Sequence, residues 1–258
     1  MILAILQARV SSTRLPGKVL KPLRGAPMIL RQIERLGRSS LIDELLVATS
    51  TDSSDTPLAD VCLTHGVNCF RGNLDDVLDR FYQAARSLDP LVPNHIVRLT
   101  GDCPLIDPTL IDQVIQFHLD GAYDFTSNAL TPTFPDGLDT EIFTWPTLEQ
   151  TWQVAKRSSE REHVTSYMET SEQFSRGNFY AAPDRSALRW TVDEPEDFQF
   201  VEEVYKALYS ENSAFSSEDI YSLLARKPEL SAINQAYHRN EGYLKSLQDD
   251  ELVVHDDD

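Results

Sequence analysis

Basic residues are scarce in this chain: 23 Lys and Arg stand against 41 Asp and Glu, a formal net charge of −18 over 258 residues. That balance excludes a broad surface for nucleic acid or for an anionic membrane. Cysteine is nearly absent. Cys62, Cys69 and Cys103 form no CxxC pair, and the six histidines show no metal-like spacing to them, which argues against a structural zinc site. An odd number of thiols fits a reducing, cytoplasmic setting. Long apolar runs are also missing: the opening stretch Met1–Leu6 is followed at once by polar and charged residues, so it reads as neither a signal peptide nor a spanning helix. The first turn contains no GxGxxG, and Val19 after Lys18 breaks any GxxxxGK[ST] pattern, which excludes the usual dinucleotide and P-loop sites.

What is present begins at the N-terminus. Met1–Leu6 has the composition of a strand buried on both faces, as in a parallel sheet. It opens into Gln7-Ala-Arg-Val-Ser-Ser-Thr-Arg-Leu-Pro-Gly-Lys18, where Arg9, Arg14 and Lys18 gather against the charge trend of the chain. A loop beyond the carboxyl end of a first strand is where an α/β sheet binds phosphates, with arginine forks and a mobile lysine as donors. A merely solvated basic loop is the competing reading.

Further along, strand and helix patterns alternate. Helical spacing runs over Pro27–Leu36, Asp60–His65, Asp75–Arg86 and Thr109–Leu119, and short strands are expected at Leu45–Thr49, Val67–Phe70 and Ile96–Leu99. This predicts an α/β fold with a doubly wound, mostly parallel sheet. The pattern then changes: a strand at Tyr123–Thr126, a turn-rich loop over residues 131–137, a strand at Thr140–Thr144, a polar helix or helix pair over Leu148–Glu172, and a strand near Ala187–Val192. Helices follow from Pro195 and from Ser216. One domain is expected over residues 1–245, its acceptor-side elements within about 123–190, and residues 246–258 form an acidic tail.

Acids supply the remaining chemistry. Asp102 in Leu99-Thr-Gly-Asp-Cys-Pro-Leu-Ile-Asp107 and Asp193 in Trp190-Thr-Val-Asp-Glu-Pro-Glu-Asp197 each follow an expected strand, and two such carboxylates suit Mg²⁺ with phosphate oxygens. Each also has a structural alternative. Asp102 can close a turn with Gly101, and Asp193 with Glu196 has the spacing of a capping box. Asp107 before Pro108 reads as a helix cap and stays outside the site. Asp136, Asp139 and Glu141 can approach sugar hydroxyls or form a charged edge. Arg161 and His163 can face a substrate or belong to a solvated helix face. Cys103 reads as packing behind Asp102.

Together, the segments at Leu6–Lys18, Leu99–Asp107, Phe134–Glu141, Glu160–Thr165 and Trp190–Asp197 resemble the cytidylyltransferase family, in its spore-coat-polysaccharide-biosynthesis-type branch related to acylneuraminate and 3-deoxy-manno-octulosonate cytidylyltransferases. The resemblance implies a nucleotide-diphospho-sugar transferase-like α/β domain with a small acceptor-side subregion. It implies CTP as co-substrate, Mg²⁺ held by Asp102 and Asp193, and transfer of CMP to a hydroxyl of a sugar acid. Arg14 and Lys18, with Arg9, would contact phosphates, Leu6, Gln7 and Ala8 would lie near the base, and Arg71 to Asp75 would complete the nucleotide pocket. Asp136, Asp139, Glu141, Arg161 and His163 would face the acceptor. It also raises the expectation of a homodimer. The match is incomplete, since Cys103 stands where the octulosonate enzymes carry Glu, which leaves acceptor identity open. A GT-A-like glycosyltransferase using a nucleotide-sugar donor and a non-enzymatic nucleotide-binding scaffold are the alternatives.

Overall fold

The structure, a computed structural model, describes residues 1–88, 90–237, 239 and 250. Nine strands and nine α-helices occur among the described residues. In chain order they are β1 (Ile2–Gln7), β2 (Pro22–Leu23), β3 (Ala26–Pro27), α1 (Met28–Leu36), β4 (Glu44–Ser50), α2 (Thr56–Thr64), β5 (Cys69–Gly72), α3 (Val77–Arg86), β6 (His95–Thr100) and α4 (Pro108–Gly121). Then come β7 (Phe125–Ser127), β8 (Glu141–Thr144), α5 (Trp145–Val154), α6 (Ser158–His163), α7 (Ser166–Thr170), β9 (Arg176–Asn178), α8 (Pro195–Leu208) and α9 (Ser217–Arg226).

Seven strands form one sheet in the order β5-β4-β1-β6-β8-β7-β9. All neighbours pair in parallel except at β8, which runs against both β6 and β7. The expected mostly parallel sheet is therefore present. The apolar residues of β1 divide by parity: Leu3 and Ile5 join one buried cluster with α3, α5 and α7, while Ala4 and Leu6 join the other with α1, α4 and α8. Both faces of the strand are thus covered. Each such fully buried aliphatic side chain is worth roughly 1.5–3 kcal/mol.

The chain builds β1, β4 and β5 outward in one direction, then crosses back to lay β6 on the other side of β1. That reversal leaves a crevice at the carboxyl ends of β1 and β6, the place where open α/β sheets receive ligands. Gly101 is required there, because a Cβ would come within 2.8 Å of the Ala8 Cβ, and its N–H donates to Gln7 O at 2.7 Å.

Three sequence expectations need correction. Ala187–Val192 is no strand: its one ladder contact is a bridge between Asp136 and Arg189, because the backbone wraps around residue 136 and gives it the N–H groups of both Trp190 and Thr191. The polar stretch over 148–172 divides into α5, α6 and α7 rather than one or two helices. The capping box of α8 is formed by Glu194 and Asp197, one residue later than the spacing of Asp193 and Glu196 suggested. The β2–β3 hairpin and β9 were not anticipated, being only two and three residues long. Asp107 does cap α4, accepting from Thr109 N at 2.9 Å. Of the expected tail, residues 246–249 and 251–258 lie outside the described residues, and Asp250 accepts from Ser159 N at 3.2 Å.

Candidate active site

The crevice holds two adjoining chambers of about 250 and 280 Å³. They share a wall made by Arg14, Arg98, Thr100, Asp102, His163 and Asp193. Beyond the wall their chemistry diverges. The chamber under the β1 loop is basic, adding Arg9, Lys18 and Arg80, with Gln7, Ala8 and Gly101 as its floor. The other is acidic, adding Asp136, Asp139, Glu141 and Glu169.

Backbone hydrogen bonds explain how distant acids meet. Val192 N donates to Asp102 O at 2.8 Å, fastening the loop after β6 to the segment before α8. Asp197, fully buried, accepts from the N–H groups of Asp193 and Glu194 and from Arg189, leaving the Asp193 carboxylate to face the crevice. Asp193 is thus not the helix cap, and the functional alternative is the one its position permits. Gly137 permits the turn on the opposite side: its φ is +106°, and a Cβ there would lie 2.5 Å from Thr191 N.

Lys18 ties the two acids together. Its ammonium is 3.1 Å from Asp102 Oδ2, 2.8 Å from Asp193 Oδ1 and 2.8 Å from Val192 O. Burial opposes the charge on Lys18, but the Asp102 and Asp193 carboxylates outweigh it and raise its pKa. Burial likewise opposes ionisation of Asp102, yet the Lys18 charge and hydrogen bonds hold its pKa down at about 2. Both acids thus present oxygen donors that already converge on one cation. That donor set suits Mg²⁺, which prefers hard oxygens and commonly uses one or two carboxylates with phosphate oxygens and water. Among the described residues no group of three or more His, Cys, Asp or Glu side chains is arranged to cage a metal by itself.

Arg189 organises the acid layer from behind. Its guanidinium reaches Asp136 at 3.0 Å, Asp193 at 3.3 Å and Asp197 at 2.9 Å, and these carboxylates raise its pKa against the effect of burial. Deeper in the acidic chamber, burial pushes Asp139 up to about 7 despite Arg239 at 3.1 Å, and it pushes Glu169 up to about 7 with Glu141 adding to the effect. Arg98 pairs with Glu141 across the antiparallel register of β6 and β8. His163 is kept neutral near pH 7 because burial lowers its pKa, with Glu162 only partly offsetting this.

Val164, between His163 and Thr165, is held at φ 61° and ψ −56°, with Thr165 N donating to His163 O at 2.6 Å. This is a γ-turn of the strained hand, uncommon for a β-branched residue and of the kind that clusters at ligand sites.

Most of the expected residues therefore gather in one crevice: Gln7, Ala8, Arg9, Arg14, Lys18, Asp102, Asp136, Asp139, Glu141, His163 and Asp193. Four do not line it. Leu6 is buried in the sheet, Arg71 donates to Ser50 O and Asp52 O, and Asp75 sits exposed at the turn before α3. Arg161 clamps α6 to the start of α3 through Asp76, its Nε 3.0 Å from the carboxylate, because the helix turns its guanidinium away from the crevice that His163 faces. Val77 and Arg80 of α3 take the place expected for Arg71 and Asp75. Arg80 could have been found from its position on the apolar face of α3, three residues after Val77. Asp55 was missed entirely: buried, it accepts from Val10 N at 2.6 Å and fixes the start of the basic loop. Glu169, Arg189 and Asp197 were missed as well: nothing local marks the first two, and the overlapping Asp193–Glu196 spacing hides the third.

The sequence profile of the family described as Cytidylyltransferase matches residues 3–226. An uncharacterised protein of Methanocaldococcus jannaschii is 35% identical over 236 residues, covering 90% of this chain and 94% of that protein. The spore coat polysaccharide biosynthesis protein SpsF of Bacillus subtilis is 34% identical over 243 residues, covering 91% of this chain and 98% of its own. The structure of a cytidylyltransferase from Leptospira borgpetersenii superposes with a TM-score of 0.85 at 31% identity, covering 92% of this chain and 99% of that one.

Proposed function

Because the chain belongs to the cytidylyltransferase family, we propose that it transfers CMP from CTP to a hydroxyl of a sugar acid and releases pyrophosphate. The observation that carries this reading is the pair of chambers of opposite charge meeting at Asp102 and Asp193. A triphosphate belongs in the basic one. Arg9, Arg14, Lys18, Arg80 and Arg98 offer charge-assisted donors to its oxygens. Gln7 Oε1 is buried without a hydrogen-bond partner, and an acceptor in that position suits the exocyclic amine of cytosine.

The acceptor sugar then lies in the acidic chamber, its hydroxyl oxygen approaching the α-phosphorus from the side opposite the leaving pyrophosphate. One oxygen–phosphorus bond forms as the α–β bridge breaks, and Arg14 and Lys18 hold the charge that moves onto pyrophosphate. The hydroxyl proton needs a base, and Asp139, titrating at about 7, can take it near neutral pH. Asp102 and Asp193 would hold Mg²⁺, which when bound supplies further neutralisation of the phosphates. No covalent intermediate with the protein is required.

The test is the phosphorus product. Incubation with CTP, Mg²⁺ and a panel of sialic, legionaminic, pseudaminic and deoxy-octulosonic acids should yield equimolar pyrophosphate and a CMP-sugar identified by mass. Stable CTP alongside consumption of a nucleotide sugar would instead establish glycosyl transfer.

A further inference from the structure

One corner of the acidic chamber is short of positive charge. Thr165 Oγ1 sits 3.0 Å from Glu141 Oε1 and 3.2 Å from Glu169 Oε1, so a single hydroxyl stands between two carboxylates. Arg98 answers Glu141. Glu169 has no ion-pair partner among the described residues. Beside it, Ser166 lines the same chamber, is only 5% exposed, and its hydroxyl has no hydrogen-bond partner. A buried hydroxyl left unpaired is costly unless a ligand completes it, and a recessed carboxylate without an ion-pair partner of its own is costlier still.

We infer that Glu169 and Ser166, with Thr165 and Glu141 beside them, form an ammonium subsite, so that the acceptor carries a protonated amine. A primary ammonium brings three donors and one positive charge, which are the two things this corner lacks. A sugar hydroxyl can satisfy Ser166 but leaves the charge on Glu169 unanswered, and an N-acetyl group adds bulk without charge. Burial together with Glu141 shifts Glu169 toward its protonated form against the pull of Arg98, so one guanidinium serves two carboxylates in this corner.

The inference rests on the acidic chamber being the acceptor site, and binding can test it apart from turnover. Three matched probes, 2-amino-2-deoxyglucuronate, its N-acetyl derivative and glucuronate, are titrated calorimetrically into enzyme saturated with a non-hydrolysable CTP analogue. The free amine should bind at least about tenfold more tightly than either counterpart, a margin typical of one charge pair in a recessed site. Glu169→Gln should abolish that preference, the free amine then binding no more tightly than glucuronate, and Ser166→Ala should reduce it. Equal or tighter binding of the N-acetyl or hydroxyl probe, or no binding of any of the three, overturns the subsite. Pyrophosphate release with any acceptor, amine-bearing or not, independently upholds cytidylyl transfer, whereas its absence with every acceptor sinks the transfer and leaves the binding result standing.

Discussion

The Lys18 ammonium lies 2.8 Å from Asp193 Oδ1, and these two residues meet across 175 positions of chain. The same ammonium reaches Asp102, so removing it leaves two carboxylates facing each other and the basic chamber without one of its cations. Lys18→Met should lower kcat for pyrophosphate release by about 10²–10³-fold. Lys18→Arg should not restore it, because a planar fork cannot occupy the place of a compact ammonium held on three oxygens. Steady-state assay of both variants decides the matter, and near-parent turnover in Lys18→Met removes the lysine from the mechanism.

Asp102→Asn and Asp193→Asn, made separately, should each cut Mg²⁺-dependent pyrophosphate formation by on the order of 100-fold. Nucleotide affinity measured without divalent cation should hold or rise, since a carboxylate that repels phosphate has been neutralised. A variant that loses nucleotide binding and turnover together would show the acid to be structural instead.

Arg189 stands behind three carboxylates and is itself buried. Arg189→Met strands Asp136, Asp193 and Asp197 together, and loss of a buried partner costs about 3–5 kcal/mol. Scanning calorimetry should record a Tm lower by on the order of 10 °C. Arg189→Lys should recover only part of this, because it cannot bridge both oxygens of Asp197 as the guanidinium does. An unchanged Tm in Arg189→Met defeats the clamp.

Glu169 gives a pH signature. Its folded pKa of about 7 lies above the value of about 4.3 expected for the unfolded chain, so between these limits the folded state binds the extra proton. Stability therefore falls as pH rises through that window. Glu169→Gln should flatten the decline and stabilise the protein near pH 8 by about 1 kcal/mol relative to the parent. Asp139 contributes a decline of the same sign that survives in the variant. Denaturant titrations at pH 5 and pH 8 measure both slopes, and parallel lines for parent and variant would sink the assignment.

Local patterns made the basic chamber readable only in part, since Arg71 and Asp75 were expected where Val77 and Arg80 of α3 stand. β1 announces itself as an apolar run, the basic loop follows it directly, and Asp102 comes just after β6, so contiguous segments carry both scaffold and chemistry. The acidic chamber is assembled differently. Glu169 matters because Thr165 lies between it and Glu141, and Arg189 because the chain folds back around residue 136, relations that no spacing within one segment expresses. Capping spacing misled by one residue at Asp193, since two overlapping acid patterns occur there and only burial of Asp197 selects between them. Arg161 and His163 are near neighbours in sequence, yet the turn of α6 sends one to α3 and the other to the crevice.

The reversed direction of β8 has an architectural outcome. Because it runs against β6, its first residue, Glu141, and not its last, stands at the mouth of the crevice opposite Arg98. The stretch arriving from residue 128 must therefore cross that mouth before it enters the sheet. Insertions or deletions in that approach would redraw the lining of the acidic chamber without shifting any hydrogen bond between β1, β4 and β6. In this way the basic chamber can stay fixed while the chamber facing it is reshaped by editing one gangway.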